Sequence, residues 1–232
     1  MIVHRKASER GNTRLNWLDG RHTFSFNRYY DPAWMGFRTL RVINDDIVAP
    51  RGGFGMHPHR DMEIVTWVLD GVLKHRDSTG SEGEIRPGEA QRMSAGTGIF
   101  HSEFNGSDSE RVHLLQIWIE PQEEGMEPGY EQKRFPEAER ANRLRLIASQ
   151  DGREGSVTIG QDAAIYDTVL SPGAKVEHQL KSGRAAWVQV AKGGVQVNGL
   201  ALDEGDGAAI TSESAVQVSA TQPSEVLIFD LN

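Results

Sequence analysis

The sequence predicts an all-β protein, on three observations. Helix signals are scarce. Short alternating or apolar runs recur along the chain, bounded by Gly, Pro, Asp and Asn. The 232 residues include 25 glycines and 9 prolines, which suits many tight turns between short strands. Such a chain closes as a sandwich or barrel, because layered or closed sheets bury an apolar face and leave few open edges.

Taken in chain order, the clearest strand begins at Thr39 and runs to Ile47 (TLRVINDDI). Further strands are expected at 62–69, 72–76, 112–120, 157–160, 163–170, 185–190, 195–197 and 225–231. Two short helices are expected, at 32–35 and 136–142. The Pro-, Gly- and Glu-rich stretch 121–129 has the composition of a linker or exposed loop, so the chain divides into domains 1–130 and 131–232. Two segments resemble each other. The first carries His57-Pro-His59, Trp67-Val68, Gly71 and the turn Arg86-Pro-Gly-Glu-Ala. The second carries Glu177-His-Gln179, Trp187-Val188, Gly193-Gly194 and Asp203-Glu-Gly-Asp-Gly. This is a weak internal repeat, and patterns common to all β proteins are its alternative.

Hydrophobic residues make up 38% and charged residues 25%, enough for a buried core. The net charge of -8 argues against a protein that coats nucleic acid, since phosphate binding needs clustered cations. Arg5, Lys6 and Arg10 are the nearest approach to a basic cluster and are expected to be solvated. Absence of cysteine excludes disulfides, thiolate nucleophiles and Cys-based zinc sites. No apolar run follows Met1-Ile-Val-His-Arg-Lys, and none approaches 18 residues. A cytoplasmic monomer without membrane contact is expected.

Chemistry concentrates in Met56-His57-Pro58-His59 and Phe100-His101-Ser102-Glu103. Strand side chains alternate faces, so His57 and His59 share one face, about 6.6 Å apart along the strand, and His101 and Glu103 share another. If the two strands lie side by side at about 4.8 Å, four ligands converge. Imidazole nitrogens and a carboxylate then reach a metal at about 2.0–2.2 Å. Three His and one carboxylate leave two open positions on an octahedral ion, which suits iron(II) and oxygen chemistry. Copper, nickel, manganese and zinc are also compatible with these donors. Glu63 lies at an even offset from His59 and competes with Glu103 as fourth ligand; the preferred reading sets Glu63 behind the ligands, orienting a ring. His4, His22, His75 and His113 lie outside any ligand-like pair, and His178 stands alone in the second half.

His57-x-His59-x-x-x-Glu63, a Gly turn, a Pro-Gly turn and a later His resemble the two cupin motifs. A narrower pattern resembles the pirin family: His-Pro-His-Arg-Asp-Met-Glu at 57–63, and Met-Ser-Ala-Gly-Thr-Gly-Ile-Phe-His-Ser-Glu at 93–103. His22-Thr-Phe-Ser-Phe26, Tyr30-Asp31 and Leu40-Arg-Val-Ile-Asn-Asp, found a little earlier, match it too. The match covers about residues 15 to 135. It implies two antiparallel cupin (jelly-roll) barrels in one chain, with iron in the first on His57, His59, His101 and Glu103. It also implies a quercetin 2,3-dioxygenase activity, which opens a flavonol ring with oxygen and releases carbon monoxide. Glu103 would be the base, with Glu63 as fallback, and Phe54, Met56, Met93 and Phe104 would be candidate pocket walls or simple core. A transcriptional co-regulator that senses redox state through iron and acts through a protein partner is the other role found in the family. Glu177 and Gln179 stand where His57 and His59 would recur, so no metal is expected in the second barrel.

Overall fold

The computed structural model describes residues 1–232. Strands in chain order are β1 (Ile2–Arg5), β2 (Gly11–Leu15), β3 (Leu18–His22), β4 (Leu40–Val48), β5 (Gly53–His59), β6 (Glu63–Asp70), β7 (Leu73–Asp77), β8 (Glu82–Ile85), β9 (Glu89–Ser94), β10 (Ile99–Asn105), β11 (Val112–Ile119) and β12 (Gly129–Arg134). They continue as β13 (Arg145–Ser149), β14 (Val157–Thr158), β15 (Ala163–Leu170), β16 (Lys175–Gln179), β17 (Ala185–Lys192), β18 (Gly194–Val197), β19 (Leu200–Asp203), β20 (Gly207–Ile210), β21 (Ala215–Ala220) and β22 (Ser224–Leu231). One α-helical turn, α1 (Glu137–Arg140), interrupts them. The all-β expectation holds, and the chain forms two compact units.

One unit comprises Gly11–Arg134 with Val157–Gln161. Its larger sheet runs β12-β9-β6-β11-β4-β3-β2, and its smaller runs β5-β10-β7-β8. Alternation places residues 73, 75 and 77 of β7 inward and Lys74 and Arg76 outward. Leu18, Val48, Val68, Leu73, Ile85, Val112 and Leu114 fill one end of the space between the sheets. Burying each such side chain contributes about 1.5–3 kcal/mol. In β10 the usual polarity is inverted. His101 and Glu103 are buried, while Phe100 and Phe104 are 53% and 42% exposed. A strand that spends its inward positions on ionisable groups is organised around a site.

The other unit comprises Met1–Arg10, Phe135–Ser156 and Asp162–Asn232. Its sheets repeat the plan, with β1-β20-β17-β22-β15-β13 in the larger and β16-β21-β18-β19 in the smaller. The two Trp-Val segments occupy corresponding strands, and the fully buried Trp67 and Trp187 each face an alanine across the ladder, Ala90 and Ala209. The repeat suspected in the sequence is therefore structural. Here the interior is closed by apolar side chains, among them Leu180, Val188, Val195, Val216 and Ile228.

Several expectations are corrected. Residues 32–35 form a turn and no helix, because the Asp31 carboxylate accepts the Ala33 N–H at 3.0 Å and the backbone closes as Trp34 N–H to Asp31 C=O. The helix expected at 136–142 contracts to Glu137–Arg140, since Asn142 takes a left-handed φ of 54°. The strand expected at 157–160 contracts to Val157–Thr158. Arg5 is 2% exposed and not solvated: it lies on β1, paired with Gly207 of β20. Glu177 and Gln179 point outward and are exposed, while Val176 and His178 face the interior of their unit. Side-chain period is 2, so aligning the two halves one residue out of register exchanges the faces.

Arg140 on α1 donates to Asp167 at 2.7 Å and to Glu225 at 3.0 Å, and all three are nearly inaccessible. The two carboxylates hold the guanidinium charged. Replacing Arg140 with Met leaves them buried side by side with only the half-exposed Lys192, 3.6 Å from Glu225, as a cation. The expected loss is about 3–5 kcal/mol in urea unfolding at neutral pH. A loss below about 1 kcal/mol would show that the triad is dispensable.

Candidate metal centre

β5 and β10 pair antiparallel, with His101 opposite His57 and Ile99 opposite His59. The close approach requires glycine at 53, where a Cβ would lie 2.4 Å from the Glu103 carbonyl oxygen. Between His101 and Glu103 the register shifts by a bulge, a feature common beside functional sites because it re-aims side chains. Imidazole centroids lie 4.4 Å apart for His57 and His101, and 4.8 Å for His57–His59 and His59–His101. One ring nitrogen from each of the three lies within 4.8 Å of the others.

The rings are prepared as metal ligands. His57 Nδ1 donates to the Gly55 carbonyl at 2.7 Å, which leaves Nε2 with its lone pair free. Trp118 meets the His59 ring edge-on at 4.9 Å. Burial, with the neighbouring His101 and His57, lowers the His59 pKa to about 4. Burial, with His57 and His75, lowers that of His101 to about 3. Both rings are thus neutral at pH 7. His101 is 2% exposed and neither of its ring nitrogens has a hydrogen-bond partner. An unpaired buried polar atom costs about 1–3 kcal/mol. A bound cation removes that cost, so the residues present fit a metal.

Glu103 is 3% exposed and belongs to a second group with His101 and His75. Gln116 Nε2 donates to both of its oxygens, at 2.8 and 2.7 Å, and the Thr66 hydroxyl donates to Gln116 Oε1 at 3.0 Å. This chain fixes the amide orientation and with it the carboxylate. His75, opposite Glu103 in the register of β7 and β10, pairs through Nε2 with Asp77 at 3.0 Å. Glu63 is not brought into either group. Its carboxylate accepts from Ser94 Oγ at 2.8 Å.

A cavity of about 260 Å³ opens on the three imidazoles and Glu103. Its apolar wall is Leu15, Trp17, Leu18, Phe26, Phe54 and Trp118, and its polar wall is Thr13, His22, Asn27, Asn44, Asp46 and Gln116. Of the four wall candidates from sequence, Phe54 takes that place, edge-on to Trp17. Met56 and Phe104 are exposed, and Met93 packs in the core with Ile64 and Ile99. Sequence reasoning passed over the polar wall. Its signal was available in β4, where Asn44 and Asp46 interrupt an inward row of Leu40, Val42 and Val48. His22 bonds Thr13 and Asn44, both at 2.8 Å. Burial, then the charges of Asp45 and Glu103, hold the Asp46 carboxyl well above the usual carboxylate range.

The two depressed imidazoles have a stability consequence in metal-free protein. Between about pH 6.5 and 4, the unfolded chain binds protons at His59 and His101 that the folded chain refuses. Stability therefore rises with pH across that window and is lost on acidification. After chelator treatment, the urea midpoint should fall from pH 7 to pH 4.5, and His101→Gln should flatten the slope. An unchanged slope in the variant would contradict the assignment.

The family model described as Pirin matches residues 3–119, and that described as Quercetinase C-terminal cupin domain matches 146–231. The chain is 50% identical to the quercetin 2,3-dioxygenase of Escherichia coli K12 over 231 residues, covering 100% of this chain and 99% of that one. It is 44% identical to a putative quercetin 2,3-dioxygenase of Pasteurella multocida, with full coverage of both. The crystal structure of the bacterial pirin YhhW from Escherichia coli in complex with nickel(II) superposes with a TM-score of 0.94 at 49% identity, covering 100% of this chain and 99% of that one. Fold, imidazole trio and full-length similarity agree: the chain belongs to the pirin family, as a bicupin with a pirin domain followed by a quercetinase-type cupin domain.

Proposed function

We propose that this protein is a metal-dependent dioxygenase that opens the ring of a flavonol-type aromatic with molecular oxygen. The observation that carries the reading is an aromatic-walled cavity ending on three imidazoles, two of them held neutral by burial. The similarity to a quercetin 2,3-dioxygenase over the full chain supports the same substrate class. His57, His59, His101 and Glu103 would hold the metal, with iron(II) as the native ion. When bound, that ion supplies Lewis acidity that favours an ionised substrate hydroxyl and a redox couple suited to oxygen.

The chain's own residues do the remaining work. Trp17, Phe26, Phe54 and Trp118 offer flat apolar surface to a planar ring and keep water from it. Glu103, a buried carboxylate at the cavity, takes the proton of the substrate hydroxyl. Gln116 and Thr66 keep that carboxylate aimed. Glu63, bonded to Ser94, is the less favoured base. The second cupin unit carries no metal in this reading, since apolar side chains occupy its interior.

Metal content tests the ligand set. His59→Ala and His101→Ala should each lose most bound metal, and Gln116→Ala should weaken affinity about 10–100-fold. His178→Ala, in the second unit, should retain full loading. Stoichiometric metal in His59→Ala would remove that residue from the set.

Oxygen uptake tests the activity. Iron(II)-loaded protein, prepared without air and assayed with quercetin, should consume oxygen and bleach the flavonol absorbance, and His101→Ala should do neither. One iron per chain without uptake on any flavonol would refute the dioxygenase reading and favour the metal-sensing role.

A further inference from the structure

We propose that Asp46 is a substrate-recognition residue, which takes a second hydroxyl of a polyhydroxylated aromatic ligand from the sheet facing the imidazole trio. The proposal rests on the dioxygenase reading for its ligand class and goes beyond it in naming what selects among such ligands.

Asp46 lies toward the C-terminal end of β4, is 3% exposed and lines the cavity. Its Oδ1 is buried without any hydrogen-bond partner. Thr13, His22, Asn44 and Gln116 of that wall are engaged. His22 bonds Thr13 and Asn44, and Gln116 bonds Glu103. His101 and Trp118 are the other cavity residues with orphaned buried atoms; a metal accounts for the first, and the second is an indole N–H that can only donate. Nothing of that kind accounts for Asp46, which is absent from both groups of converging ligand atoms. A buried carboxyl left unpaired costs several kcal/mol in general, so a chain keeps one where a ligand completes it.

The neighbouring strand leaves room for this group. Gly20 on β3 stands opposite Asp46 in the register, and a Cβ there would come within 2.6 Å of Oδ1. Any other residue at 20 would crowd the carboxyl. The sheet thus leaves its side-chain space empty where the acid projects. A phenolic hydroxyl donates to a carboxyl oxygen, so the two are complementary. With one substrate hydroxyl toward the metal ligands and a second on Asp46, the ring lies against the aromatic wall in a single orientation. A site built to bond a hydroxyl rejects analogues lacking it more strongly than an apolar pocket rejects a missing methylene.

The experiment is equilibrium binding to the iron(II)-loaded protein without oxygen, read by quenching of the Trp17 and Trp118 fluorescence at the cavity. The probes are quercetin and 3-hydroxyflavone, which retains only the 3-hydroxyl. The unsubstituted protein should prefer quercetin by about tenfold or more. Asp46→Ala, which removes the polar group, should bring that ratio to within about threefold while metal content stays at parent level. Gly20→Ala, which keeps the acid but crowds it, should do the same and covers the case in which Asp46→Ala fails to fold. A preference retained in both variants overturns the proposal, as does equal binding of the two probes or binding of neither by the unsubstituted protein. Oxygen uptake measured alongside separates the two readings. Lost selectivity without uptake upholds Asp46 and refutes the dioxygenase, whereas uptake with unchanged selectivity does the reverse.

Discussion

The antiparallel pairing of β5 with β10 is the constraint on which the site depends. It sets His57 beside His101 and His59 beside Ile99, and one bulge then offsets Glu103 from the imidazoles. Two strands with period-2 alternation thus turn a His-x-His and a His-x-Glu into one cluster. That arrangement carries a folding cost, because ionisable groups replace apolar ones on the inward face of β10. The larger sheet and the apolar end of the sandwich, built on Leu18, Val68, Leu73 and Leu114, offset it. Phe100 and Phe104 are displaced outward by the same alternation.

Burial does the electrostatic work. It depresses the His59 and His101 pKa values and so supplies neutral imidazoles at neutral pH. The same burial makes orphaned atoms expensive, so those that remain carry information. Three cavity residues carry such atoms: His101 on the smaller sheet, and Asp46 and Trp118 on the larger. His101 fits a cation and Asp46 a hydroxyl. Between them, the cavity offers a metal-binding end, an aromatic wall and a polar wall.

The two units show how one plan is used in two ways. Strand order, the buried Trp and its facing alanine recur in both. What differs is the filling. In one unit the inward positions of the smaller sheet carry His57, His59, His101 and Glu103 around a cavity. In the other, Val176, Val216 and Val218 sit inward and close the space, and His178 is engaged by Asp230 at 2.7 Å.

The sequence by itself determined the fold class and the imidazole trio. Alternation, turn residues and the 57-59-101-103 spacing are local signals, and a strand of period 2 leaves little freedom in how they are expressed. It also showed the Trp-Val repeat. It did not determine which face of β16 is inward, because a one-residue slip is invisible without the partner strand. That is why Glu177 and Gln179 were matched to the histidines when the structure turns them outward. Nor did it determine that Arg5 is buried, that Gln116 pins Glu103, or that His22, Asn44 and Asp46 face the site. Those depend on contacts between residues distant in sequence, from Thr13 to Trp118, and only the closing of one sheet over the other brings them to one cavity.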